Sequence, residues 1–212
     1  MSAPLVLPRR LALGGVITLL WALAFRVGVT MGAAIEALSI CSVLSVIVVV
    51  RAVPEVRDAL RPNLRDVVIG LAFGALTVAA TVVLYPPLRD LQLVPGLADE
   101  VRRFYDIVPF TIVLVPLIVL VAAAEELVWR GFFLAAFPAA RTSAQLASAI
   151  AVASIAYALG QLGGSPLLGA VALFFGVLWG VEAKLTKGLV APMLSHLTWT
   201  ASIFGVWPLE GP

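Results

Sequence analysis

Long apolar runs separated by short polar segments dominate the chain. Seven stretches are long enough to be read as membrane-crossing helices, at 11–29, 33–50, 67–88, 107–128, 144–162, 166–183 and 189–207. Each approaches the ~20 residues needed to cross a hydrocarbon core as a helix. Arg26 and Glu36 interrupt the first two. Between the runs the longest polar segments, 51–66 and 89–106, are rich in Pro, Arg and Asp and are read as loops. No hydrophilic stretch is large enough for a soluble domain and no internal repeat is visible. The pattern therefore predicts an all-α fold: a polytopic membrane helix bundle of about seven transmembrane helices, forming a single integral-membrane domain over 1–212.

Composition agrees with the pattern. Hydrophobic residues make up 62% of the 212 and charged residues 12%, against about 45–50% and about 25% in soluble domains. The mean hydropathy is +1.09. The net charge of +2 does not suggest a nucleic-acid partner, because the basic residues are scattered between apolar runs and form no patch. Arg9 and Arg10 before an apolar run ending in Ala22-Leu23-Ala24 could pass for a secretory leader; with further spans following, they are read as the start of an uncleaved first helix.

Lys and Arg set the expected orientation. With the N-terminus in the cytoplasm, Arg9, Arg10, Arg51, Arg57, Arg61, Arg65, Arg130, Arg141, Lys184 and Lys187 lie on the cytoplasmic side, and only Arg89, Arg102 and Arg103 on the other. The expectation is a multi-pass protein of the cytoplasmic (inner) membrane with its N-terminus inside.

The single cysteine, Cys41, excludes a disulfide, and the single histidine, His196, excludes a two-histidine zinc helix or a bis-histidine haem. No metal and no cofactor are expected. Chemistry must come from carboxylates, one imidazole and neutral polar groups. Glu125 and Glu126 follow an uncharged run from Ile107 to Ala124, and charges at membrane depth are costly enough to suggest function. Arg130 lies four residues beyond Glu126, the favourable direction for a helical ion pair, which leaves Glu125 to point elsewhere. The alternative is a helix end whose charges snorkel to the interface. His196 lies within 189–207, with Thr200 one turn on; it could equally be a hydrogen-bonded packing residue. Tyr157 and Gln161 are another i, i+4 polar pair, in an otherwise apolar run. Glu125 and Gln161 are equally far from a turn near Ser143, so they share a depth. If the helices carrying them adjoin that of His196, the three converge on one polar pocket.

These residues also form motifs. Glu125-Glu126-Leu127-Val128-Trp129-Arg130-Gly131 resembles the EExxxR motif of the CPBP family, the group of CAAX prenyl proteases and bacteriocin-processing proteins also called Abi proteins. Phe175 to Gly180, Thr186 to Gly188 and Pro192 to His196 resemble that family's closing region with its HxxxN motif. The resemblance covers about 115–207. It implies a glutamic intramembrane protease in which Glu125 is the general base on a water, Glu126 and Arg130 order the site, and His196 holds the oxyanion. Two positions depart from the pattern. The family's FxxxH motif falls on Tyr157-Ala158-Leu159-Gly160-Gln161, and its last Asn falls on Thr200. Gln can orient a water but cannot take its proton; Thr can donate one hydrogen bond.

The leading expectation is therefore an intramembrane endopeptidase acting on a membrane-associated protein or peptide within the lipid bilayer. The alternatives are a catalytically inactive scaffold or bacteriocin-immunity protein of the same fold, and a transporter relaying protons through Glu125 and Glu126. Lack of inverted repeats and of paired broken spans counts against the transporter.

Overall fold

A computed structural model of the chain describes residues 7–108, 113–134 and 142–210, and every regular element among them is helical. The order is α1 (Leu7–Met31), α2 (Ala34–Ala52), α3 (Val56–Ala59), α4 (Leu64–Asp90), α5 (Leu97–Ile107), α6 (Val115–Glu125), α7 (Ser143–Gln161), α8 (Pro166–Thr186) and α9 (Val190–Ala201). Two of these change winding. α6 runs on as a π-helix over Glu126–Phe133, and α9 over Ser202–Val206.

Side chains near the helix starts supply hydrogen-bond acceptors for otherwise orphaned backbone N–H groups. Asn63 Oδ1 accepts from the Asp66 backbone at 2.9 Å to open α4. Thr142 and Gln145 exchange hydrogen bonds in a capping box ahead of α7. Ser165 Oγ accepts from the Leu168 backbone, and Pro166 occupies the first turn of α8, where its missing N–H costs nothing. Lys187, at φ 56°, ends α8 in a left-handed turn before Gly188.

Five helices, α1, α2, α4, α7 and α8, are long and apolar enough to cross a membrane unaided. The sequence predicted seven. The other two predicted spans, 107–128 and 189–207, are shorter α-helices that reach full length only by continuing as π-helix, to Phe133 and Val206. The span expected to begin at 107 begins instead at Val115, because α5 ends at Ile107. The two segments read as loops hold the helices α3 and α5. In α5, Leu97, Val101, Phe104 and Tyr105 turn inward while Asp99, Arg102, Arg103 and Asp106 face out, the stripe of an amphipathic helix.

Packing follows chain neighbours in α1 on α2 and α7 on α8, and joins distant segments in α4 on α9. The last contact is unusually close. Gly70 and Gly74 form a GxxxG face; a Cβ on Gly70 would lie 2.6 Å from the Ala191 carbonyl oxygen, and one on Gly74 2.7 Å from Thr198 Cβ. Backbone contact of this kind replaces the hydrophobic drive that helices lack inside lipid. The core is aromatic, with Trp21, Trp129 and Trp179 fully buried. Apolar side chains such as Leu19, Leu20, Leu76 and Val83 face outward, where the solvent is hydrocarbon.

Candidate active site

The change of winding in the sixth helix falls between the two adjacent glutamates: Glu125 ends α6 and Glu126 begins the π-helix. Such π segments recur at functional sites. Here the two carboxylates turn to different partners. Glu126 Oε1 accepts from Arg130 Nη1 at 3.0 Å, the pair expected from their spacing. The guanidinium also donates to the Phe175 carbonyl at 3.4 Å. It lies 4.7 Å from the Tyr157 ring centroid and 5.2 Å from that of Trp179. Both members of the pair are excluded from the surface, so neither charge snorkels.

Glu125 turns toward α7 and α9. Its Oε2 accepts from the Tyr157 hydroxyl at 3.0 Å, and its Oε1 accepts from the Gln161 amide. His196 stands between the carboxylates, with Nδ1 2.9 Å from Glu126 Oε1 and Nε2 3.5 Å from Glu125 Oε2. Its ring stacks on Trp179, centroids 4.0 Å apart and planes at 22°. Because Glu126 is ion-paired to Arg130, it acts as acceptor and draws the imidazole hydrogen to Nδ1, leaving Nε2 to face Glu125.

The depth argument from sequence thus ends in contact: Glu125, Gln161 and His196 meet, and Tyr157 joins them. Thr200 lies one turn beyond His196 on the wall of the same cavity. That cavity, of about 110 Å³, has Glu125, Tyr157, Gln161, His196 and Thr200 along its polar part. Elsewhere its lining is largely aliphatic and aromatic, with Phe104 of α5 and Phe204 of the second π-helix on one side. The Phe104 and Phe204 rings meet edge to face at 5.0 Å. Tyr105 fastens α5 there by donating to the Ile203 carbonyl at 2.9 Å.

Sequence reasoning missed two contributors. Trp179 was read only as part of a motif, yet it supports both His196 and Arg130. Glu182, a carboxylate within the apolar α8, is buried and hydrogen-bonded to Ser195, the residue before His196. The signal was present, since a charge at membrane depth is what singled out Glu125.

No curated protein and no solved structure matches the chain. Residues 107–202 match the family model described as type II CAAX prenyl endopeptidase Rce1-like, and Glu125, Glu126, Arg130, Tyr157, Gln161, His196 and Thr200 all lie within that range. Over this stretch, slightly less than half of its length, the chain is similar to the Rce1-like type II CAAX prenyl endopeptidases of the CPBP group, which its motifs resemble.

Proposed function

We propose that the protein is an intramembrane endopeptidase of the cytoplasmic membrane that cleaves an apolar, membrane-associated protein or peptide with a water activated by Glu125. The likeness to Rce1-like CAAX endopeptidases over 107–202 supports a membrane protease-type function. The observation that carries the finer reading is the placement of Glu125: a carboxylate on the wall of a mostly apolar cavity, with His196 Nε2 3.5 Å away.

In the proposed reaction a water entering the cavity gives a proton to Glu125 as its oxygen bonds to the scissile carbonyl carbon. The carbonyl becomes an oxyanion; Thr200 can donate to it directly, and His196 can do so only when Nε2 also carries a hydrogen. Collapse of the intermediate breaks the C–N bond, and the proton held on Glu125 passes to the departing amine. General acid–base help of this kind is worth about 10²–10⁴ in rate, and each well-aimed oxyanion donor about 3–4 kcal/mol. Glu126 keeps the imidazole hydrogen on Nδ1, and Arg130 balances the charge of Glu126. Gln161 has no proton to exchange, so its contribution is to orient Glu125.

One observation favours a second reading, a scaffold without catalysis. Gln161 and Tyr157 already engage both oxygens of Glu125. A carboxylate has about four acceptor positions, so two contacts leave room for a water. The test compares the membrane proteome of cells carrying parent or Glu125→Gln protein. A cleavage product formed only with the parent supports the protease; a biological phenotype that survives Glu125→Gln, with no product in either, supports the scaffold.

A further inference from the structure

Behind His196, on the side away from the cavity, three helices meet through a small polar cluster. The GxxxG face of α4 brings the Gly70 carbonyl oxygen to 2.9 Å from Ser195 Oγ on α9. The same Oγ lies 2.8 Å from Glu182 Oε1 on α8. Ser195 and Glu182 are both buried, and Glu182 Oε2 has no hydrogen-bond partner. Neither residue lines the cavity.

Counting hydrogens decides what this cluster is. Three oxygens in two contacts below 3.0 Å need two hydrogens between them, since bare oxygen lone pairs repel at that range. The serine hydroxyl supplies one and a carbonyl supplies none. The second can only sit on Glu182. The bare Oε2 agrees: as the C=O of a neutral acid it is a tolerable orphan, whereas half of a buried carboxylate with no cation in contact is not. The charged groups that act on Glu182 are Glu126 and Arg130, and they already form an ion pair with each other.

We propose that Glu182 is a positioning residue that works as a neutral acid. Its carboxyl group donates to Ser195 Oγ, Ser195 donates to the Gly70 carbonyl, and the chain of two hydrogen bonds fixes the turn of α9 that carries His196. The neutral form also spares the neighbouring ion pair a second negative charge. The inference does not depend on proteolysis, because it concerns the proton and the imbedded imidazole.

The chain contains one histidine, so protein labelled with ¹⁵N-histidine gives a single imidazole whose two nitrogen resonances report tautomer, charge and setting. Two measurements on the full-length protein in detergent test the idea. Infrared spectra should show a protonated-carboxyl band near neutral pH that Glu182→Gln removes and Glu125→Gln leaves in place. The His196 resonances should keep their positions in Glu182→Gln, since an amide donates to Ser195 as the neutral acid does. In Glu182→Leu and Ser195→Ala, which break the chain of hydrogen bonds, those resonances should move or broaden.

A purely structural carboxylate would behave differently. If Glu182 is ionised, Glu182→Gln removes a negative charge near His196 and the imidazole resonances move, with no carboxyl band lost. Either result overturns the proposal. So does an unchanged imidazole in both Glu182→Leu and Ser195→Ala, provided each protein remains folded by its tryptophan fluorescence. Absence of cleavage by the parent would refute the protease reading and leave these outcomes as they stand.

Discussion

Replacing Arg130 by Met isolates the charge at the centre of the site. Met keeps most of the side-chain volume between the Tyr157 and Trp179 rings, which lie 4.7 and 5.2 Å from the guanidinium carbon, but it removes the cation 3.0 Å from Glu126 Oε1. Glu126 is then a buried carboxylate whose remaining contact is His196. Breaking a buried ion pair from one side costs about 3–5 kcal/mol. The lost cation–π contacts add up to about 2 kcal/mol in a desolvated setting. Glu126→Gln strands Arg130 instead and should cost a similar 3–5 kcal/mol. In the double variant Glu126→Gln/Arg130→Met no charge is stranded, so the loss should shrink to the cation–π and packing terms, about 1–2 kcal/mol. The interaction between the two changes then comes to at least ~4 kcal/mol, above the ~0.5–3 kcal/mol usual for residues in contact, because each single change strands a buried charge. Equilibrium unfolding in mixed micelles, followed by the fluorescence of the buried tryptophans, measures all four proteins. Additive losses in the double variant, or an Arg130→Met protein within 1 kcal/mol of the parent by the same scale, would refute the account of this pair.

Glu125→Gln should lower cleavage by at least ~10²-fold while leaving the unfolding curve close to the parent's, and a parent-like rate would remove Glu125 as the base. Gln161→His should raise the rate several-fold, because an imidazole there can donate to Glu125 as the amide does and also exchange a proton; a slower Gln161→His enzyme would argue against this. Outside the membrane, Glu210 accepts from the Tyr85 hydroxyl and pairs with Arg89 and Arg102, and these contacts hold its carboxyl below the usual range, the Tyr85 hydrogen bond first. A depressed carboxylate stabilises the fold above its ordinary pKa of ~4.3 and loses that effect as the pH falls through its folded value. Protection of the α5 amides relative to their intrinsic exchange should therefore fall in acid and, in Glu210→Gln, already at neutral pH; identical protection in parent and variant would sink this link. A reporter fused after Glu210 should lie outside the cytoplasm and one inserted in the 57–61 segment inside it, and matching locations would refute seven crossings.

The helical membrane fold was legible because run length and charge scarcity suffice for α1, α2, α4, α7 and α8. The sixth and ninth helices were harder, since periodicity does not announce where an α-helix rewinds into a π-helix. α5 was missed for a different reason: its inward stripe of Leu97, Val101, Phe104 and Tyr105 has the right period but is embedded among Asp, Glu and Arg, and a search for apolar runs passes over it. Within the site, spacing alone gave the Glu126–Arg130 pair and equal depth gave the meeting of Glu125 with Gln161. The bond from His196 to Glu126 was not readable, because it depends on how α9 is rotated. That rotation is set by the contact of α9 with Gly70 and Gly74 of α4, more than a hundred residues away in sequence.

These placements change the meaning of Gln161. On the motif resemblance alone, a glutamine at the histidine position of FxxxH would leave Glu125 without a proton-sharing neighbour. In the folded chain Glu125 has one from another direction, His196 Nε2 at 3.5 Å, and that imidazole is itself oriented by Glu126 through Nδ1 at 2.9 Å. The carboxylate–imidazole couple needs two acidic residues next to each other in sequence yet facing opposite sides of one imidazole. A helix that switches winding at that bond meets the requirement, because the turn on which Glu126 sits is wider than the turn that ends at Glu125. On the proposed mechanism, then, a glutamine at 161 leaves Glu125 with one proton-exchanging neighbour in place of two, and the feature it cannot lose is the imidazole held between two carboxylates.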